Sequence, residues 1–96
     1  MVQHIVMWRF KEENKPETLL QVKALFLNLV GKVPSLRHLE VGENWNGDTA
    51  AFDFVLIARF DDRAGLDAYQ NHPEHVKVAQ FIQSVRTDRA VVDCEI

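Results

Sequence analysis

Alternation with a period of two marks residues 2–10 as a strand. Val2, His4, Val6, Trp8 and Phe10 share one face, and Gln3, Ile5, Met7 and Arg9 share the other. Apolar residues on both faces predict cover on both sides. After the charged break 11–15, Asn14 stands where a helix cap is expected, and Pro16 and Glu17 suit a first turn. Leu19, Val22, Phe26 and Leu29 then recur at helical spacing, Leu25 and Val30 widen the stripe, and Gly31 predicts the stop. A second strand is expected over 36–43, with Leu39 and Val41 on one face and His38, Glu40 and Gly42 on a wetter one. Asn46-Gly47 is a strong turn signal, and Trp45 beside it is a large ring that needs something to pack on. Residues 52–60 read as the central strand, with Phe52, Phe54, Leu56, Ala58 and Phe60 opposed to Asp53, Val55, Ile57 and Arg59. Asp61-Asp62 predicts the cap of a short helix through Leu66 and Tyr69. Pro73 predicts a second helix running to about Val85, with Glu74 in its first turn. Residues 89–96 close the chain as a fourth strand, with Ala90, Val92, Cys94 and Ile96 on one face.

This order, β-α-β-β-α-β, predicts an α+β fold of the ferredoxin-like kind: one antiparallel four-stranded sheet with helices on one side. The 96 residues form one domain, 1–96, without repeats or linkers. The other side of the sheet, where Trp8 and several phenylalanines are expected, has no segment left to cover it. A second copy is the economical cover, so the pattern predicts a homodimer whose two sheets face each other as a barrel.

Composition adds exclusions. At 47% hydrophobic and 26% charged, the chain has the balance of a folded domain. A net charge of −3 without a basic run argues against nucleic acid as a partner. No run approaches the ~20 apolar residues that cross a bilayer, so no membrane partner is expected. The lone Cys94 cannot form an internal disulfide; on an apolar strand face it is expected to be buried and inert. The start of the chain has no basic leader followed by an apolar run, and a cytoplasmic location is the expectation.

The chemistry concentrates in residues 68–76, Ala68-Tyr69-Gln70-Asn71-His72-Pro73-Glu74-His75-Val76, which place a tyrosine and two histidines around one proline. Imidazole is the side chain that exchanges protons near neutral pH, and a phenol can donate to a developing enolate oxygen. His75 is therefore the candidate base and Tyr69 its hydrogen-bond donor. The two are six residues apart, so the bend at Pro73 has to bring them together. His4, among large apolar residues on its strand face, is the third candidate, either as a site residue or as a bonded core histidine. His72 reads as a helix cap or as a binding residue, with Trp8 and Val6 as apolar binding residues on the face of His4. The spacing of the histidines matches no recognised zinc pattern, so no metal is expected. His38 beside Glu40 reads as a solvated pair.

The chain resembles the stress-responsive A/B barrel (Dabb) family along nearly its whole length. The resemblance rests on His4-Ile5-Val6-Met7-Trp8-Arg9-Phe10-Lys11, Val33-Pro34, Gly42-Glu43-Asn44 and Phe52-Asp53-Phe54-Val55-Leu56-Ile57. It continues through Leu66-Asp67-Ala68-Tyr69-Gln70-Asn71-His72-Pro73-Glu74-His75, its most specific part, and Arg89-Ala90-Val91-Val92-Asp93. It implies a dimeric ferredoxin-like barrel. One plant member is a polyketide cyclase that closes an aromatic ring by aldol condensation without cofactor. Its catalytic tyrosine and histidine match Tyr69 and His75, and a further pocket histidine matches His4. The resemblance thus implies a cofactor-free lyase or cyclase, with a small oxygenase as a variant, acting on a small hydrophobic molecule. The alternative is a non-catalytic homodimeric barrel that binds such a molecule or supports stress tolerance.

Overall fold

The computed structural model describes residues 1–96 as β1 (Val2–Phe10), α1 (Lys15–Leu27), β2 (His38–Glu43), β3 (Phe54–Phe60), α2 (Arg63–Asn71), α3 (Pro73–Val85) and β4 (Arg86–Glu95). The sheet order is β2-β3-β1-β4 with every neighbouring pair antiparallel, the expected ferredoxin-like arrangement. Its second crossover is split at Pro73 into two helices. No helix is long and apolar enough to cross a membrane.

The core lies between the three helices and one face of the sheet, and it corrects one expectation. Trp8 and the phenylalanines belong to the covered face, not the open one. Trp8 is only 4% exposed and stacks on Phe26 of α1 at 5.4 Å between ring centroids; Phe10, Phe54 and Phe60 are buried beside it. The largest rings bury the most area, so the side with cover in the same chain takes them. The open face is aliphatic: Ile5 and Met7 of β1, Val55 and Ile57 of β3, Ala90 and Val92 of β4. Cys94 is on this face and is half-buried, not fully buried as expected.

Element boundaries shift for local reasons. Asn14 does precede α1, but in the left-handed region (φ 55°) and without a side-chain cap bond. α1 ends at Leu27, before Val30; residues 28–33 turn by tight backbone bonds, with Leu29 buried and Val30 exposed. Gly31 lies within that turn at φ 85°, the conformation its lack of a Cβ permits. β2 and β3 begin two residues later than the alternation suggests, at His38 and Phe54. At β3 the preceding Asp53 bonds to the end of β1 instead, its carboxylate accepting from the Phe10 amide at 2.8 Å and pairing with Lys15 at 3.1 Å. β4 begins three residues earlier, because α3 passes into it directly and Lys11 donates to the Val85 carbonyl at 2.9 Å. Asp62 caps α2 as expected, accepting from the Gly65 amide at 2.8 Å. Trp45, at 94% exposure, has nothing of its own chain to pack on. His38 and Glu40 form the expected exposed pair at 3.0 Å.

Candidate functional site

Proline disfavours the helical conformation of the residue before it. His72 is accordingly extended (φ −66°, ψ 133°), α2 stops at Asn71, and α3 restarts at Pro73. This bend carries His75 back onto Tyr69, with ring centroids 4.3 Å apart, although one continuous helix would separate them. His72 itself acts as the cap of α3: its Nδ1 accepts from the Glu74 amide at 3.1 Å, and its side chain is not part of the cavity described next.

Between the covered sheet face and α3 is a cavity of about 330 Å³. Val6 and Trp8 of β1, Leu56 of β3 and Ile82 of α3 supply apolar wall; His4 and His75 supply the imidazoles. Gln70, Gln83, Arg86 and Arg89 supply its remaining polar lining. Of the six residues proposed from the sequence, His75, His4, Trp8 and Val6 thus meet at one cavity. Tyr69 stands directly behind, fully buried, and His72 stands apart.

The hydrogen bonds assign the tautomers. His75 Nδ1 is 3.2 Å from the Gln70 carbonyl oxygen, which can only accept, so Nδ1 carries the proton and Nε2 keeps its lone pair. Burial holds His75 below its ordinary 6.5; the Gln70 carbonyl opposes this, and the charges of His4, Arg89 and His72 reinforce it. At neutral pH this is a free base. His4, also buried, meets the Asp93 carboxylate through Nδ1, which leaves its Nε2 as the remaining free ring nitrogen. A carboxylate in that position orients an imidazole. Burial pushes the Tyr69 phenol well above its ordinary 10, so it is a donor and not an anion. Its hydroxyl has no partner in the chain.

Three further residues escape a strand-by-strand reading: Asp93, Arg86 and Arg89. The signal lies in pairing, since β4 runs antiparallel to β1 and sets Asp93 opposite His4 and Arg89 opposite Trp8. No cluster of three or more His, Cys, Asp or Glu side chains is arranged to hold a metal ion.

The chain is similar to the stress-response A/B barrel domain-containing protein DABB1 of Arabidopsis thaliana, 28% identical over 96 residues; the match takes in 97% of this chain and 46% of that protein. This chain therefore spans about half the length of its plant relative. A dimeric ferredoxin-like protein of unknown function from Thermobifida fusca superposes with a TM-score of 0.89 at 26% identity, over 99% of this chain and 90% of the other. A dimeric protein of unknown function from Bacteroides fragilis gives 0.83 at 30% identity, over 99% and 95%. A hydroxynitrile lyase from Passiflora edulis has the same fold, with a TM-score of 0.87 at 21% identity over 99% and 92%. The model of the Stress responsive A/B Barrel Domain matches residues 2–96, and with the fold this places the chain in the stress-responsive A/B barrel (Dabb) family.

Proposed function

We propose that this protein is a cofactor-independent acid/base enzyme, a lyase or a cyclase of the polyketide-cyclase kind, acting on a small hydrophobic carbonyl compound. The observation that carries the reading is His75: an imidazole held below its ordinary pKa by burial, its Nδ1 engaged by a carbonyl, at the wall of a cavity with an apolar side. In this reading Nε2 of His75 removes a proton from the carbon beside a carbonyl. The C–H electrons move into the carbonyl group, and the enolate oxygen takes a hydrogen bond from Tyr69. His4, backed by Asp93, polarises the second carbonyl or the leaving group. The enolate then attacks that carbonyl or expels the leaving group, and the proton on His75 returns to the oxygen or carbon that needs it.

The reading includes a homodimer, two copies packing their open sheet faces together and leaving each cavity on the outer, helix-covered side. The exposed aliphatic stripe on that face and the dimeric descriptions of two similar structures support it. That a hydroxynitrile lyase is built on this fold supports the reaction class, not a substrate.

The test is exchange of carbon-bound protons in D2O. Small 1,3-dicarbonyl compounds are incubated with the protein and with His75→Gln, and deuterium uptake is followed by proton NMR. The expected result is an acceleration that falls about a hundredfold or more in the variant. Equal rates with a folded His75→Gln protein would refute the proposal.

A further inference from the structure

Arg86 and Arg89 are three apart, and in a regular strand that spacing would send their side chains to opposite faces. The pairing of β4 with β1 prevents this. Arg89 lies opposite Trp8, Asp88 opposite Arg9, and then Arg86 opposite Phe10, so Thr87 is an extra residue where the register shifts. Such bulges re-aim side chains next to functional sites. Here the bulge puts both arginines on the sheet face of Trp8 and Phe10, Arg86 half-buried and Arg89 exposed at its edge, and both line the cavity.

The chain has six arginines. Arg37 and Arg63 pair with carboxylates, Arg9 with Asp88 and the Ala50 carbonyl, and Arg59 with the Gln3 side-chain oxygen. Only the side chains of Arg86 and Arg89 have neither an ion pair nor a hydrogen bond within the chain. No aspartate or glutamate lines the cavity, and the nearby Asp93 carboxylate is engaged by His4. In a chain of net charge −3, this is a local concentration of unpaired positive charge against an apolar wall.

We infer that the cavity is built for a small carboxylate, its apolar body against Val6, Trp8 and Leu56 and its charged end held by Arg86 and Arg89. The inference takes the cavity from the proposed function and adds the charge of its occupant. Guanidinium groups recognise carboxylates through paired, charge-assisted hydrogen bonds, and a low-dielectric wall strengthens the attraction. The substrate class becomes a keto acid or another carbonyl compound with a free carboxylate, not a neutral one.

The test compares 3-phenylpropanoate with its neutral amide by calorimetry and by NMR shifts of the protein. The carboxylate should bind about tenfold tighter, equivalent to about 1.4 kcal/mol. The shifts should centre on Trp8 and His75. The double variant Arg86→Gln with Arg89→Gln should bind both probes equally, and the double lysine variant should recover part of the preference. Equal affinities in the native protein, a preference that survives the glutamine variant, or no shifts at Trp8 and His75 would overturn the inference. Because binding is read without turnover, its failure leaves the His75 exchange experiment standing, and the reverse also holds.

Discussion

Tyr69 is the residue at which packing and chemistry separate most cleanly. Its ring is fully buried between Phe60, at 5.1 Å, and His75, and it meets His4 edge-on at 6.3 Å. Its hydroxyl is buried without a partner, a state that costs about 1–3 kcal/mol. Tyr69→Phe keeps the ring and removes the hydroxyl. Thermal melting should therefore show unchanged stability or a gain of about 1 kcal/mol. The deuterium exchange rate should fall about a hundredfold, as when a donor to a developing oxyanion is removed. A clear loss of stability with the rate unchanged would make Tyr69 a packing residue only.

At the scale of elements, the site depends on two irregularities: the break at Pro73, which folds His75 onto Tyr69, and the bulge in β4, which turns Arg86 toward the cavity. Asp53 is a third junction, joining the end of β1 to the start of α1 through the Phe10 amide and Lys15. Asp53→Ala strands a part-buried amide and should cost about 2 kcal/mol in denaturant unfolding; a change below a few tenths would remove this tie from the account. Lys15→Ala, which spares the amide bond, should cost less. The contrast shows what the sequence makes legible. Pro73 announces itself, because its ring restricts the preceding residue whatever surrounds it, and both helices follow from that. The alternation of β1 likewise brings His4, Val6 and Trp8 together. It does not say which face the helices cover, since both faces are apolar; only the structure shows that the aromatic face is the covered one. Asp93, Arg86 and Arg89 depend on the β1–β4 register and on Thr87 as an extra residue, and neither is encoded within one strand.

For the whole molecule, the two faces of the sheet differ in what covers them. The covered face forms the cavity together with α3. The open face presents Ile5, Met7, Val55, Ile57, Ala90 and Val92, a stripe suited to a second copy. Ile57 lies mid-sheet, between Ile5 of β1 and Glu40 of β2. If two copies pack through this face, Ile57→Glu would bury a carboxylate between them, so light scattering at micromolar concentration should find a monomer for this variant and a dimer for the unsubstituted protein. A variant that remains dimeric would put the interface elsewhere.

A nitrogen-15 NMR titration of the histidine rings reads whether His75, at the cavity wall, is a neutral base with a free Nε2. The expected result is a proton on Nδ1 at neutral pH and a midpoint below the ordinary 6.5. Because the neutral ring is the base, exchange activity should be complete above 6.5 and lost as pH falls through that lower midpoint. A proton found on Nε2, or an imidazolium that persists above 6.5, would rule out His75 as the base.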